Sequence, residues 1–202
     1  MSTPSPSQIP SQIATFAVAL SAASGQDLTA PAALQAWAVR EWPAFWRFFL
    51  GWCDLQPGRP GVEGDTQPTF LGEGIEQTCF FPNLRLNWAD RLLDLSVAGA
   101  SQPALVACHG DGSRETWSRG ALRDRVARLA DAFTTQGLAP GDRAVAVLRN
   151  DAEAATVALA VAAVGATLSV AAPEMGLEAL ADRFEPLAPR WLLAHLAPRP
   201  HD

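Results

Sequence analysis

Lysine and tyrosine are both absent from this 202-residue chain, and all 15 of its basic residues are arginine. The missing lysine excludes a phosphate loop that depends on one. It equally excludes a Schiff-base lysine, or a lysine that steadies a carboxylate during activation. Cysteine is scarce, with only Cys53, Cys79 and Cys108, odd in number and widely spaced. Neither a disulfide framework nor a Cys-x-x-Cys metal site fits that spacing, so reduced thiols are expected. His109, His195 and His201 are isolated, and no metal site is expected from them. Cys108 and His109 adjoin in a predicted strand, so they point to opposite faces and make no dyad.

Positive charge is also in deficit. The net charge is −6 and the pI about 5.0, which argues against nucleic acid or an anionic membrane as the main partner. Two apolar runs invite a membrane reading. Residues 13–23, IATFAVALSAA, resemble a short signal core but lack a basic flank, since the first arginine is Arg40. Residues 154–172 hold no charge, yet they are mostly alanine with Gly165 inside, and predict helix, turn and strand.

What is present is a globular composition, 49% apolar and 18% charged, long enough for one or two domains. Alanine supplies 38 of the apolar residues, so the core is thinner than that fraction suggests. Residues 1–10, rich in Ser, Pro and Gln, predict a disordered tail. Ser11 is placed to cap a helix with Ile13, Phe16, Ala17 and Leu20 on one face, ending at Gly25. A second helix follows Pro31, with Leu34, Trp37 and Ala38 on one side, and Trp42-Pro43 interrupts it. Phe45, Trp46, Phe48, Phe49 and Trp52 crowd together, which reads as packing rather than an aromatic ligand cage. Residues 56–78 read as a long surface loop. The Gly-Glu-Gly at 72–74 lacks the third glycine and the preceding buried strand of a dinucleotide fingerprint.

From about residue 103 strands and helices alternate. Residues 104–109 and 114–117 predict a hairpin about Asp111-Gly112. Ser118 then caps an amphipathic helix in which Leu122, Val126, Leu129, Ala130 and Phe133 form the apolar stripe. Arg119, Arg123, Arg125 and Arg128 fall off that stripe, as a solvated face, and Gly137 stops the helix. Residues 143–148, 166–171 and 190–194 predict strands, with helices between them begun by Asn150 and by Leu177. Such alternation makes an α/β fold with a parallel sheet covered on both faces. The expectation is a helical N-terminal cap over 11–95, followed by a partial, doubly wound sheet subdomain over 96–202. The edge near 190–194 is expected to be left bare.

Four strings carry a resemblance. FFPNLRLNWADRLL (80–93) is similar to a motif of acetyl- and acetoacetyl-CoA synthetases. Residues 115–150 are similar to the opening of AMP-binding domains in the adenylate-forming superfamily. Residues 165–194, with Ser169, Pro173-Glu174, Gly176 and Asp182-Arg183-Phe184, resemble acetoacetyl-CoA synthetases in particular. LQAWAVREWPAFWRFFLGW (34–52) matches the Trp and Phe-Trp signature of the same enzymes, and residues 11–20 lie where their first helix is. The resemblance implies a cytosolic acid–CoA ligase using ATP, Mg²⁺ and CoA. Such an enzyme joins acetoacetate to AMP with release of pyrophosphate, then passes the acyl group to CoA.

The resemblance also implies what this chain does not carry. It corresponds to the N-terminal third or so of such an enzyme, as a frameshift or early stop would leave. The Ser/Thr/Gly-rich phosphate loop with its lysine, the adenine and Mg²⁺ segments and the catalytic lysine of the C-terminal domain have no counterpart here. No catalytic residue, metal or cofactor is therefore expected for the isolated chain. By resemblance to acetyl-CoA synthetases, the turn Ala172-Pro173-Glu174 is the one candidate for contact with the CoA nucleotide. An acid beside phosphate is unfavourable there. Asn83, Arg91 and Arg149 depart from the residues usual in the family. Two other readings stand beside a ligase fragment. One is an interaction or dimerisation module docking through the bare edge, or one half of a split ligase completed by a second chain. The other is an unrelated nucleotide-binding domain, for which residues 172–176 make a poor glycine-rich turn.

Overall fold

The computed structural model describes residues 11–96 and 98–195, so the expected tail at 1–10 lies outside the described residues. The chain divides into two compact units between Leu86 and Asn87, not after residue 95 as the sequence suggests.

The first unit opens with α1, Gln12–Ser24, and the Ser11 hydroxyl accepts the Ala14 N–H at its start. Gly25 ends it with φ +70°, a left-handed residue whose N–H returns to the Ser21 carbonyl. Phe16, Ala17 and Leu20 are buried as the periodicity predicts, whereas Ile13 stays exposed. Helices α2, Pro31–Arg40, and α3, Trp42–Trp52, both carry proline in the first turn. Trp42-Pro43 thus begins a helix as well as ending one, because proline lacks only an N–H that the first turn leaves unpaired. Phe16 is the hub of this unit. The rings of Phe45, Phe48, Phe49 and Trp52 meet it edge-on with centroids 5.6–5.8 Å away.

The stretch at 56–78, expected to be loop, carries short structure. Strand β1, Val62–Gly64, pairs antiparallel with β4, Leu84–Leu86, and β2, Phe70–Leu71, pairs with β3, Cys79–Phe80. One helical turn, α4, Gly74–Gln77, joins the second pair. Glycine permits both closures. Gly64 and Gly72 have φ of +98° and +92°, and a Cβ on either would run into the carbonyl of Asn83 or Gln77. Arg47 reaches across to donate to the Thr69 hydroxyl at 3.1 Å, and the Trp42 ring lies 4.3 Å from that of Phe70.

The second unit begins with α5, Trp88–Leu92. The Asn87 side chain caps it by accepting the Ala89 and Asp90 N–H groups, and donates to the Ala163 carbonyl at 2.9 Å. Strands β5, Pro103–Cys108, and β6, Arg114–Ser118, form the expected hairpin. Helix α6, Arg119–Thr135, is capped by the Ser118 hydroxyl. Its arginines are not all idle. Arg119 donates to the Leu92 and Asp94 carbonyls, and the Arg125 guanidinium lies 4.1 Å from the centre of the Trp117 ring.

Three parallel strands follow, β7 (Arg143–Val147), β8 (Thr167–Ala171) and β9 (Trp191–Ala194), in the order β8-β7-β9. Helix α7, Ala152–Val164, joins β7 to β8. Helix α8, Leu177–Phe184, with a 3-10 turn at Glu185–Leu187, joins β8 to β9. The α7 cap is Asp151, not Asn150, since the Asp151 carboxylate accepts the Ala154 N–H. The period-2 alternation of β7 decides the layering. Ala144 packs with Leu122, Phe133 and Leu159 of α6 and α7, while Val145 turns to Phe184 of α8. The sheet is therefore covered on both faces, a partial doubly wound α/β unit.

The uncharged run at 154–172 is α7, a turn at Gly165 and β8. Among the described residues no helix is long and apolar enough to cross a membrane.

Candidate functional site

Parallel strands deliver all their C-terminal ends to one edge of the sheet, where the loops after β7 and β8 lie and where His195 follows β9. From β7 the chain moves to β8 on one side, then crosses back to β9 on the other. Connections that leave in opposite directions open a crevice between β7 and β9, the usual ligand position in such sheets.

Four side chains meet at that crevice. Arg149, Asp151 and Glu153 come from the β7–α7 junction, and His195 follows β9 directly. The Arg149 backbone N–H points at His195 Nδ1 over 3.5 Å, and the other ring nitrogen, Nε2, faces two carboxylates. That nitrogen lies 3.3 Å from Glu153 Oε2 and 3.8 Å from Asp151 Oδ2. Arg149 Nε stands 4.0 Å from the same Asp151 oxygen. The Asp151 side chain is only 4% exposed, His195 16% and Glu153 60%, so the cluster has an enclosed floor and one solvent-facing wall. Asp151 is fixed by its capping role, because Oδ1 accepts the Ala154 N–H at 3.0 Å.

The histidines are expected to be isolated; the structure sets His195 beside Asp151 and Glu153 instead. The Asp-x-Glu spacing at 151–153 is visible in the sequence, and so is a histidine closing a strand. What sequence does not contain is the strand order, which brings a residue 42 positions downstream of Glu153 beside it.

Ala172, Pro173 and Glu174 occupy the next loop along the same edge. All three are exposed, in a turn closed by the Met175 N–H on the Ala172 carbonyl at 3.2 Å. Phosphate fits poorly at the helix starts beside them. Glu178 lies in the first turn of α8 and Glu174 just before it, while Asp151 and Glu153 head α7. Each carboxylate uses the positive helix end that a phosphate would need. With lysine absent as well, the described residues do not fit the triphosphate of MgATP, and no chemical step is derived through it. In the first unit, a cavity of about 850 Å³ opens between α1, α2 and α3, lined by Phe16, Leu34, Phe45, Phe49 and Trp52. Among the described residues no charged side chain lines it, and burial raises the Cys53 thiol pKa there, away from reactivity.

An acetoacetyl-coenzyme A synthetase of Rhizobium meliloti is 35% identical over 156 residues, 76% of this chain and 22% of the relative. The acetoacetyl-CoA synthetase of Rattus norvegicus is 29% identical over 183 residues, 91% of this chain and 27% of its own length. The structure of acetoacetyl-CoA synthetase from Streptomyces lividans superposes with a TM-score of 0.76 at 29% identity, covering 90% of this chain and 28% of that one. The chain thus spans about a quarter of the relatives it matches, as an N-terminal portion of them. Residues 95–201, which contain the parallel sheet and both its connecting helices, match the AMP-binding enzyme family, and the chain belongs to that family.

Proposed function

We propose that this chain is the N-terminal portion of an acetoacetate–CoA ligase and supplies scaffold, not chemistry. In the complete reaction, acetoacetate displaces pyrophosphate from MgATP to give acetoacetyl-AMP, and the CoA thiol then displaces AMP. The observation that carries the reading is a match over most of this chain to only a quarter of a ligase, in a polypeptide without lysine. Charge stabilisation on the transferring phosphoryl group needs fixed cations. The carboxylates at the starts of α7 and α8 work against it.

The function is cytosolic on this reading, and CoA contact is confined to the Ala172-Pro173-Glu174 turn. The expected result is no acetoacetate-dependent ATP–pyrophosphate exchange by the 202-residue chain. Addition of a second chain supplying the later segments of a relative restores exchange. Turnover by the 202-residue chain alone overturns the scaffold reading.

One observation favours a second reading, a half-ligase or self-associating module. Strand β9 pairs only with β7 among the described residues, and its Leu192 is 67% exposed. An open edge of this kind accepts another strand. Sedimentation separates the two: a monomer at high concentration excludes self-association.

A further inference from the structure

We propose that the crevice between β7 and β9 binds one divalent transition-metal ion of the zinc type, through His195 Nε2, Asp151 Oδ2 and Glu153 Oε2. These three donors all lie within 4.8 Å of one another, and come from two adjacent strand ends rather than one acidic run. Ligands about 2.0–2.2 Å from a tetrahedral ion stand about 3.3–3.5 Å apart. The Nε2–Oε2 separation of 3.3 Å meets that spacing as it stands, and the Nε2–Oδ2 separation of 3.8 Å needs a shift of a few tenths of an ångström. Glu153 is exposed enough to swing inward and shut the site, while Asp151 is held by its cap. Three protein ligands leave a fourth position open.

Charge favours a cation. Among the described residues two carboxylates face one guanidinium, that of Arg149, and the positive start of α7 offsets only about half a charge more. An imidazole ligand selects zinc-type ions over magnesium or calcium, which prefer all-oxygen sites. Binding uses the lone pair of Nε2, so the neutral imidazole ligand carries its proton on Nδ1. The hydrogen bond given up there, from the Arg149 N–H, is 3.5 Å long and weak.

The test is a titration of the full chain with Zn²⁺ against a chromophoric chelator, with Co²⁺ absorption as the second readout. One equivalent is expected, with Co²⁺ giving tetrahedral bands and no thiolate charge-transfer band. His195→Ala and Glu153→Gln each weaken Zn²⁺ at least tenfold, and replacing Cys53, Cys79 and Cys108 together by serine leaves binding intact. Glu153→Gln alters an exposed side chain, so it decides the matter even where His195→Ala disturbs folding. Absence of stoichiometric binding overturns the proposal. So does binding that survives Glu153→Gln, or binding lost with the thiols. These outcomes do not depend on whether the ligase reading holds.

Discussion

Asp94 shows how much a single enclosed carboxylate can govern. Its side chain is buried, and it accepts the Ser96 N–H at 2.9 Å and the Arg91 guanidinium at 3.0 Å. The Ser96 hydrogen bonds, with the nearby Arg91 and Arg123 charges, hold its pKa below the ordinary carboxylate value against the opposing effect of burial. Asp142 is lowered in the same direction, first by the Ala139 N–H and then by Arg190. A depressed folded-state pKa gives stability that is present above the unfolded value, about 4, and is lost as pH falls through the folded one. The thermal midpoint is therefore expected to stay level from neutral pH down to about 5, then fall below about 4. Asp94→Asn should flatten that acid limb in a pH series of melts.

Caps test the reading at the same scale. Ser11 and Ser118 are legible because each precedes an apolar period with no rival beside it. Asn150 and Asp151 are both good caps and adjacent, so only the reach to the Ala154 N–H separates them. Asp151→Ala should cost about 1 kcal/mol in metal-free denaturant unfolding, and Asn150→Ala under about 0.5 kcal/mol.

Among the elements, those with a strong period were legible and those held by distant contacts were not. In α1 the pattern marks Leu20, which is 1% exposed and packs with Phe16, Leu28 and Trp37. Leu20→Ala should cost about 3 kcal/mol by urea unfolding, whereas Val18→Ala on the outer face should stay within about 0.5 kcal/mol. Residues 56–78 carry no period, since β1 and β2 are two or three residues long and depend on partners some twenty residues away or nearer. Their signal is glycine, at Gly64 and Gly72, which composition alone does not tell from loop. Gly64→Ala must strain a left-handed backbone and displace the Asn83 carbonyl. It should destabilise by more than about 1 kcal/mol, with protease sensitivity appearing first around β1 and β4.

For the molecule as a whole, the α/β class followed from alternating elements, and the family from strings such as 80–93. The candidate site was not legible. Its chemistry depends on β9 returning beside β7, and a connection rule gives handedness without strand order. Alternation likewise predicts helices on both faces of the sheet without saying how far each extends.

Helix α8 roofs Val145 of β7 and Ala171 of β8, while Leu192 of β9, on the same side, stays bare. Handled by itself at millimolar strength, the polypeptide should therefore turn cloudy, through an oily spot beside a backbone rim that is open among the described residues. Swapping Leu192 for arginine should keep the solution clear, as light scattering would record, without disturbing the layer that Trp191 and Leu193 make on the opposite side.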